Sequence, residues 1–281
     1  MLHNNVKKKF FIGIDSDGTA FDSMTVKHRR AFIPTIIKTW NLDKASDAVY
    51  EICEDINLFS KTRGIDRFSG LVPTFERLKV AGADVPDYTD LYGFLNSGAV
   101  LSNNGLKEYL ENNNSKFLRE VLKWSIEADA LFKKEAEKLM PFKGLKEILK
   151  SAGKYADIAV ISSASESSLK KDWKKDGLID EVSILCGQEQ GKKTQQLESA
   201  LDDRYDRNKA MMFGDALGDY HAAKNVGIWF YPILPGKEEA SWQRFKEKYF
   251  DIFFSGSFSK NCEEELLDEF CSVLKTEKGQ I

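Results

Sequence analysis

An α/β fold, with a parallel sheet interrupted after its first strand by an all-helical insertion, is predicted by three observations on this 281-residue chain. Short apolar runs at 10–14, 156–161, 182–185, 209–213 and 228–231, rich in β-branched and aromatic residues, read as buried strands. From residue 141 onward these runs alternate with helical patterns, as they do when helices cover both faces of a parallel sheet. Between 23 and 140 only helical periodicity appears, so this block reads as a separate lobe, and 1–22 joins 141–281 across it.

Taken in order, Phe10 to Ile14 is the first strand. Residues 26–40 place Ala31, Phe32, Ile36, Ile37 and Trp40 on one helical face, with a kink predicted at Pro34. Residues 45–59 do the same with Val49, Ile52, Cys53, Ile56 and Phe59, and helices are expected at 69–80, 87–95, 105–110 and 116–139. After Pro141 come a helix at 142–152 ended by Gly153, the strand 156–161, and a helix at 165–175. The strand 182–185, the helix 194–205, the strand 209–213, the helix 216–225 and the strand 228–231 follow. The tail reads as a helix at 241–249, a short strand from Ile252 to Phe254, and a last helix at 261–274.

Composition narrows the function. Hydrophobic residues at 42% and charged residues at 30% describe a folded domain and argue against disorder. Lys plus Arg (41) nearly balances Asp plus Glu (44), which gives no reason to expect nucleic acid or an anionic membrane as partner. Lys7 to Lys9 before Phe10 resembles the start of a secretory leader, but the apolar run stops at Asp15, and no stretch has the length of a membrane span. A cytoplasmic protein is expected. The four cysteines, Cys53, Cys186, Cys262 and Cys271, have no Cys-x-x-Cys spacing and are expected to be buried free thiols.

Chemistry concentrates after the first strand. Asp15 and Asp17, two residues apart at its carboxyl end, project towards one region. Gly18 and Thr19 let the backbone turn and bring N–H groups near an anion. An acidic pair beside an anion nest needs a hard divalent cation, so the stretch reads as a Mg²⁺-assisted phosphoryl-transfer site. In an open parallel sheet ligands bind beyond the carboxyl ends of the strands, and three further polar clusters fall there. Ser162 and Ser163 end the run 156–161; a hydroxyl for a phosphoryl oxygen and a cap for the next helix, through Ser165 and Ser168, are comparable readings. Lys192 and Lys193 lie in Gly191-Lys-Lys-Thr194, which lacks the P-loop spacing and by itself reads as surface lysine. Gly214-Asp215-Ala-Leu-Gly-Asp219 sets two carboxylates at a helix start, which the macrodipole favours with or without a ligand. His28 and His221 are isolated on helices and read as scaffold. Lys61, Arg63 and Arg67 cluster in a loop of the insertion, as solvated charges or as a hold on a substrate's distal anion.

Asp15-Ser-Asp-Gly-Thr after an apolar strand resembles the Asp-x-Asp-Gly-Thr signature of the haloacid dehalogenase-like superfamily, and Gly214-Asp215 with Asp219 resembles its fourth motif. The resemblance implies a Rossmann-like core with Asp15 as nucleophile and Asp17 as general acid and then base. It also implies Ser162, or Ser163, as hydrogen-bond donor to the phosphoryl group beside Gly18 and Thr19, and Lys193, with Lys192 in reserve, as the neutralising cation. Mg²⁺ would be held by Asp15, the backbone carbonyl of Asp17 and Asp215, with Asp219 binding through water or orienting Lys193. An Asp at 17 points to phosphomonoester chemistry, and the insertion resembles in position and helical character the C1 cap that admits small substrates. A phosphatase acting on a small phosphorylated metabolite is therefore expected, as monomer or homo-oligomer. A phosphotransferase or sugar-phosphate mutase shares the four motifs; a non-catalytic regulatory module would be marked by a lost motif residue, and none is lost.

Overall fold

The computed structural model describes residues 8–276 and divides into two compact units: one runs up to Asp22 and from Leu139 on, the other is Ser23–Lys138. The first unit contains a five-stranded sheet built from β1 (Phe10–Ile14), β2 (Ala156–Ile161), β3 (Ile184–Cys186), β4 (Ala210–Gly214) and β5 (Trp229–Pro232). All pairings are parallel, in the order β3-β2-β1-β4-β5, with Ile14 level with Val160 on one side and Phe213 on the other. Every residue of β1 to β4 is buried, because helices cover both faces.

The period of two along each strand sorts the side chains between those faces. Phe10, Ile12, Ile14, Ile158, Val160, Met211 and Phe213 pack on one side with Trp173, Trp242 and Phe245. Phe11, Ala159, Ile161, Met212 and Phe230 pack on the other, against Leu197, Leu201 and Phe270. The chain adds β2 and β3 on one flank of β1, then crosses to add β4 and β5 on the other. The strand order therefore reverses between β1 and β4, the point at whose carboxyl rim an open parallel sheet takes its ligands. Where the chain leaves this unit and returns to it, Phe21 bridges Pro141 and the Phe142 N–H donates to the Ala20 carbonyl at 2.9 Å.

The second unit is helical throughout its regular elements, as periodicity indicates. Its helices Ser46–Leu58, Arg67–Val80, Thr89–Leu95, Asn103–Asn112 and Lys116–Ala136 enclose a core containing Phe32, Trp40, Phe75, Phe117 and Trp124. Three of them start on side-chain caps: Asp66 accepts from the N–H groups of Phe68 and Ser69, Ser102 from Gly105, and Ser115 from Leu118. At the expected kink the helix widens into a π-turn, His28–Phe32, between Ser23–Lys27 and Ile33–Thr39. Pro34 lacks an N–H and its ring crowds the carbonyl four residues back; the wider turn makes room, while the Thr35 hydroxyl donates to the carbonyls of Ala31 and Phe32.

One expectation is corrected. Residues 252–254, read as a strand, lie in the helix Phe250–Phe254, which continues Glu238–Arg244 and the π-turn Phe245–Tyr249. Phe245, Tyr249 and Phe253 recur every four residues and are all buried, so the governing period is helical, and the short run Ile252 to Phe254 hid it. The helix 142–152 begins at Leu145 because Gly144, at φ +83°, precedes its first turn. Cys53, Cys186 and Cys271 are buried free thiols; Cys262 is half-buried.

Candidate active site

Asp15 is the first residue past β1, and its N–H still donates to the Phe213 carbonyl of β4 at 3.0 Å. Asp215 is the first residue past β4. Parallel pairing thus sets both carboxylates at the same rim, on the two strands that flank the topological reversal. Asp15 and Asp215 are 4% and 2% exposed, and Asp219 is fully buried. One carboxylate oxygen from each of the three lies within 4.8 Å of the others, a buried set of hard oxygen donors that suits a divalent cation such as Mg²⁺. The carboxylate of Asp17 is outside this set, two residues on in a half-buried turn.

Local backbone explains why these residue types stand here. Gly18 adopts φ +80°, a left-handed conformation that glycine takes without strain, and its N–H donates to the Phe21 carbonyl at 2.9 Å; its part is to form the turn. The turn directs the Thr19 hydroxyl to Asp215 Oδ1 at 2.7 Å, while the Thr19 carbonyl accepts from Trp242 Nε1 at 2.9 Å. Ser16, between the two aspartates, has its hydroxyl fixed by Trp173 Nε1 at 3.0 Å. At Gly214 a Cβ would fall 2.2 Å from the Cβ of Asp219, so only glycine lets Asp219 fold back under β4. There Asp219 Oδ2 accepts from the N–H groups of Asp215 and Ala216, the capping arrangement anticipated for an acidic first turn.

Asp219 also does a second thing. Its Oδ1 receives Lys193 Nζ at 2.6 Å, and the same ammonium pairs with Asp15 Oδ1 at 2.9 Å. The side chain of Lys192 is exposed, and its backbone N–H donates to Gln195 Oε1, so Lys193 is the lysine of this pair that enters the site. It opens the helix Lys193–Leu201, which packs on the sheet through Leu197 and Leu201. Burial disfavours the Lys193 charge, but Asp15 and Asp219 outweigh it and hold the ammonium above its usual range. Burial pushes the carboxyls of Asp15 and Asp219 up, with Lys193 opposing and the neighbouring carboxylates adding to the rise. Three buried carboxylates against one ammonium leave an excess of negative charge that a bound cation would relieve.

Ser162 ends β2 at the same rim, 2% exposed, its N–H donating to the Cys186 carbonyl and its hydroxyl accepting from the Ala164 N–H. Ser163 is exposed. The expected cap is present: Ser165 caps the helix Glu166–Trp173 through the Ser168 N–H, which leaves Ser162 outside that role. Arg63 and Arg67 belong to the helical unit. Arg63 is 5% exposed and donates to the Leu58 carbonyl. Arg67 pairs with Asp129 at 2.5 Å, donates to the Ser125 hydroxyl and lies over the ring of Phe32. Both guanidinium groups thus have partners within the helical scaffold.

Sequence reasoning overlooked Gln196, a fully buried residue whose amide Nε2 donates to the carbonyls of Ser162, Gly187 and Gly191 at 2.9, 2.8 and 2.9 Å. A signal was present. Gln196 stands with Leu197, Ala200 and Leu201 on the buried face of its helix, where an uncharged polar side chain needs partners.

Among the described residues, no helix is long and apolar enough to cross a membrane. No curated protein matches the chain in sequence. Among solved structures, a haloacid dehalogenase-like family hydrolase from Streptococcus pneumoniae is similar at 14% identity and a TM-score of 0.44, covering 83% of this chain and 90% of that one. A subfamily IA hydrolase of the same superfamily from Geobacter sulfurreducens gives 14% and 0.41, covering 82% and 89%. A haloacid dehalogenase-like family hydrolase from Xanthomonas campestris gives 12% and 0.43, covering 86% and 93%. Residues 98–233 match the haloacid dehalogenase-like hydrolase family, a span that takes in Ser162, Lys193, Asp215 and Asp219. That match covers just under half of the chain, and β1 brings Asp15, outside it, to the same rim as the matched Asp215.

Proposed function

We propose that the protein is a Mg²⁺-dependent phosphatase that hydrolyses a small phosphorylated metabolite through an aspartyl-phosphate. The observation that carries this reading is Lys193 Nζ bridging Asp15 and Asp219 beside Asp215, a cation set against the burial that raises both carboxyls. Asp15, Asp215 and the backbone carbonyl of Asp17 would hold the metal. The metal would supply charge neutralisation for the phosphoryl oxygens.

Asp15 attacks phosphorus in line, forming the acyl-phosphate bond as the ester P–O bond breaks. Asp17 gives its proton to the departing oxygen, then takes one from the water that cleaves the aspartyl-phosphate and releases orthophosphate. Its place outside the acidic cluster supports this role, because a carboxylate tied to a cation is a poor proton carrier. Lys193 offsets charge on Asp15 and the phosphoryl group. The Ser162 hydroxyl, with backbone N–H groups near Thr19 and Ser163, donates to phosphoryl oxygens. The expectation of a small substrate rests on the helical insertion of residues 23–138, which in position and character resembles a C1 cap.

A panel of phosphorylated metabolites assayed for orthophosphate release, with Mg²⁺ and with chelator, tests the proposal. Metal-dependent turnover that Asp15→Asn abolishes is expected. Turnover undiminished by chelator, or isomer formation without orthophosphate, would remove it.

A further inference from the structure

We infer that Gln196 is a positioning residue that locks the loop carrying Ser162 to the helix start carrying Lys193; this rests on the phosphatase reading for its catalytic consequence. Lys193 and Gln196 are three residues apart and share one face of the helix Lys193–Leu201. One turn of helix therefore reaches two places. Lys193 extends to Asp15 and Asp219, and Gln196 extends to the backbone beneath Ser162.

The amide is held by donation alone. Its two N–H groups serve three carbonyls, those of Ser162, Gly187 and Gly191, while its Oε1 is buried without a hydrogen-bond partner. Those carbonyls come from the loops after β2 and after β3, which meet further along: the Gln188 N–H donates to the Ala164 carbonyl at 2.9 Å. The fit is close, since a Cβ on Gly187 would stand 2.7 Å from the Ala164 carbonyl oxygen. Gln196 is thus the side chain through which a displacement of either loop is resisted by the helix bearing Lys193. An acceptor-only group in its place would face three carbonyl oxygens and repel them.

The test compares Gln196→Met, which keeps length and loses the donors, with Gln196→Asn, which keeps the donors and shortens their reach. Backbone amide exchange in segments 162–166 and 187–193 is read beside exchange in the strands. Hydrolysis of para-nitrophenyl phosphate with Mg²⁺ is measured for each variant alone and combined with Ser162→Ala. Faster exchange confined to the two segments is expected, with a loss in kcat/KM between about 10- and 100-fold for Met and a smaller one for Asn. In the Ser162→Ala background the same change is expected to cost little, because the two act as a unit. Unaltered exchange in both segments, or full additivity with a Ser162→Ala that is itself impaired, overturns the inference. If Ser162→Ala retains wild-type turnover, the phosphate contact assigned to Ser162 falls, and the exchange data decide the locking role by themselves. Should the Met variant not fold, the Asn variant carries both measurements.

Discussion

The hydroxyl of Thr19 donates to Asp215 Oδ1 at 2.7 Å across 196 residues of chain, tying the turn after β1 to the turn after β4. Both side chains are buried, so the bond orients a carboxylate of the proposed metal site. Thr19→Val keeps the shape and removes the donor. Affinity for Mg²⁺, read by titration calorimetry, is expected to fall by about 10-fold with the fold retained. Wild-type affinity in that variant would mean that Asp215 is oriented by other contacts.

Lys193 lies between two buried carboxylates, so Lys193→Met strands both. Breaking a buried ion pair on one side costs about 3–5 kcal/mol, and the metal-free protein is expected to lose stability on that scale together with its activity. Added Mg²⁺ should recover part of the loss by neutralising the stranded charge. A urea midpoint equal to that of the wild type, without metal, contradicts the assignment.

In the proposed reaction two aspartates two residues apart have different tasks, nucleophile and proton carrier, and kinetics can separate them. Asp15→Asn removes the nucleophile and should abolish turnover at every pH. Asp17→Asn removes the proton carrier, so substrates with poor leaving groups should suffer by about 100-fold or more, and activated aryl phosphates by less. Equal losses on both substrate classes would argue against acid catalysis by Asp17.

In the helical unit, burial, reinforced by Lys27, Arg63 and Arg67, lowers the His28 imidazole to about 3. Its unfolded value is the ordinary 6.5, so below that pH the unfolded chain binds a proton that the folded one refuses. Stability should decline by about 1.4 kcal/mol per pH unit from pH 6.5 towards 3, and be fully present above 6.5. Urea midpoints at pH 7 and pH 5 for wild type and His28→Gln check this: the variant should lose the part of the slope due to His28, and an identical slope would exonerate the histidine.

Arg67 is held by Asp129, Ser125 and the face of Phe32. Arg67→Met is accordingly expected to lower stability by about 1–2 kcal/mol and leave KM unchanged. A raised KM with stability intact would return Arg67 to the substrate-binding role its charge first suggested.

Much of this arrangement was legible in the residues. A buried strand announces itself by an unbroken apolar run, and Asp15, Ser162 and Asp215 each directly follow one, while Lys193 opens the helix after β3. The strand assigned to 252–254 failed because three apolar residues cannot reveal whether the period is two or nearly four; Phe245, Tyr249 and Phe253 together do. Lys192 and Lys193 are equivalent as letters. Which enters the site depends on the angle at which the helix Lys193–Leu201 meets the sheet, a matter of Leu197 and Leu201 packing.

By itself, then, the sequence determined the α/β core, the helical insertion and the acidic residues, because hydrophobic period and turn chemistry are local. Tertiary structure alone decided that Thr19 serves Asp215, that Asp219, besides capping its own helix, receives Lys193, and that Gln196 joins two loops. Each of those contacts links segments that only parallel strand pairing brings to one rim, and no local pattern encodes the partner of a buried polar group.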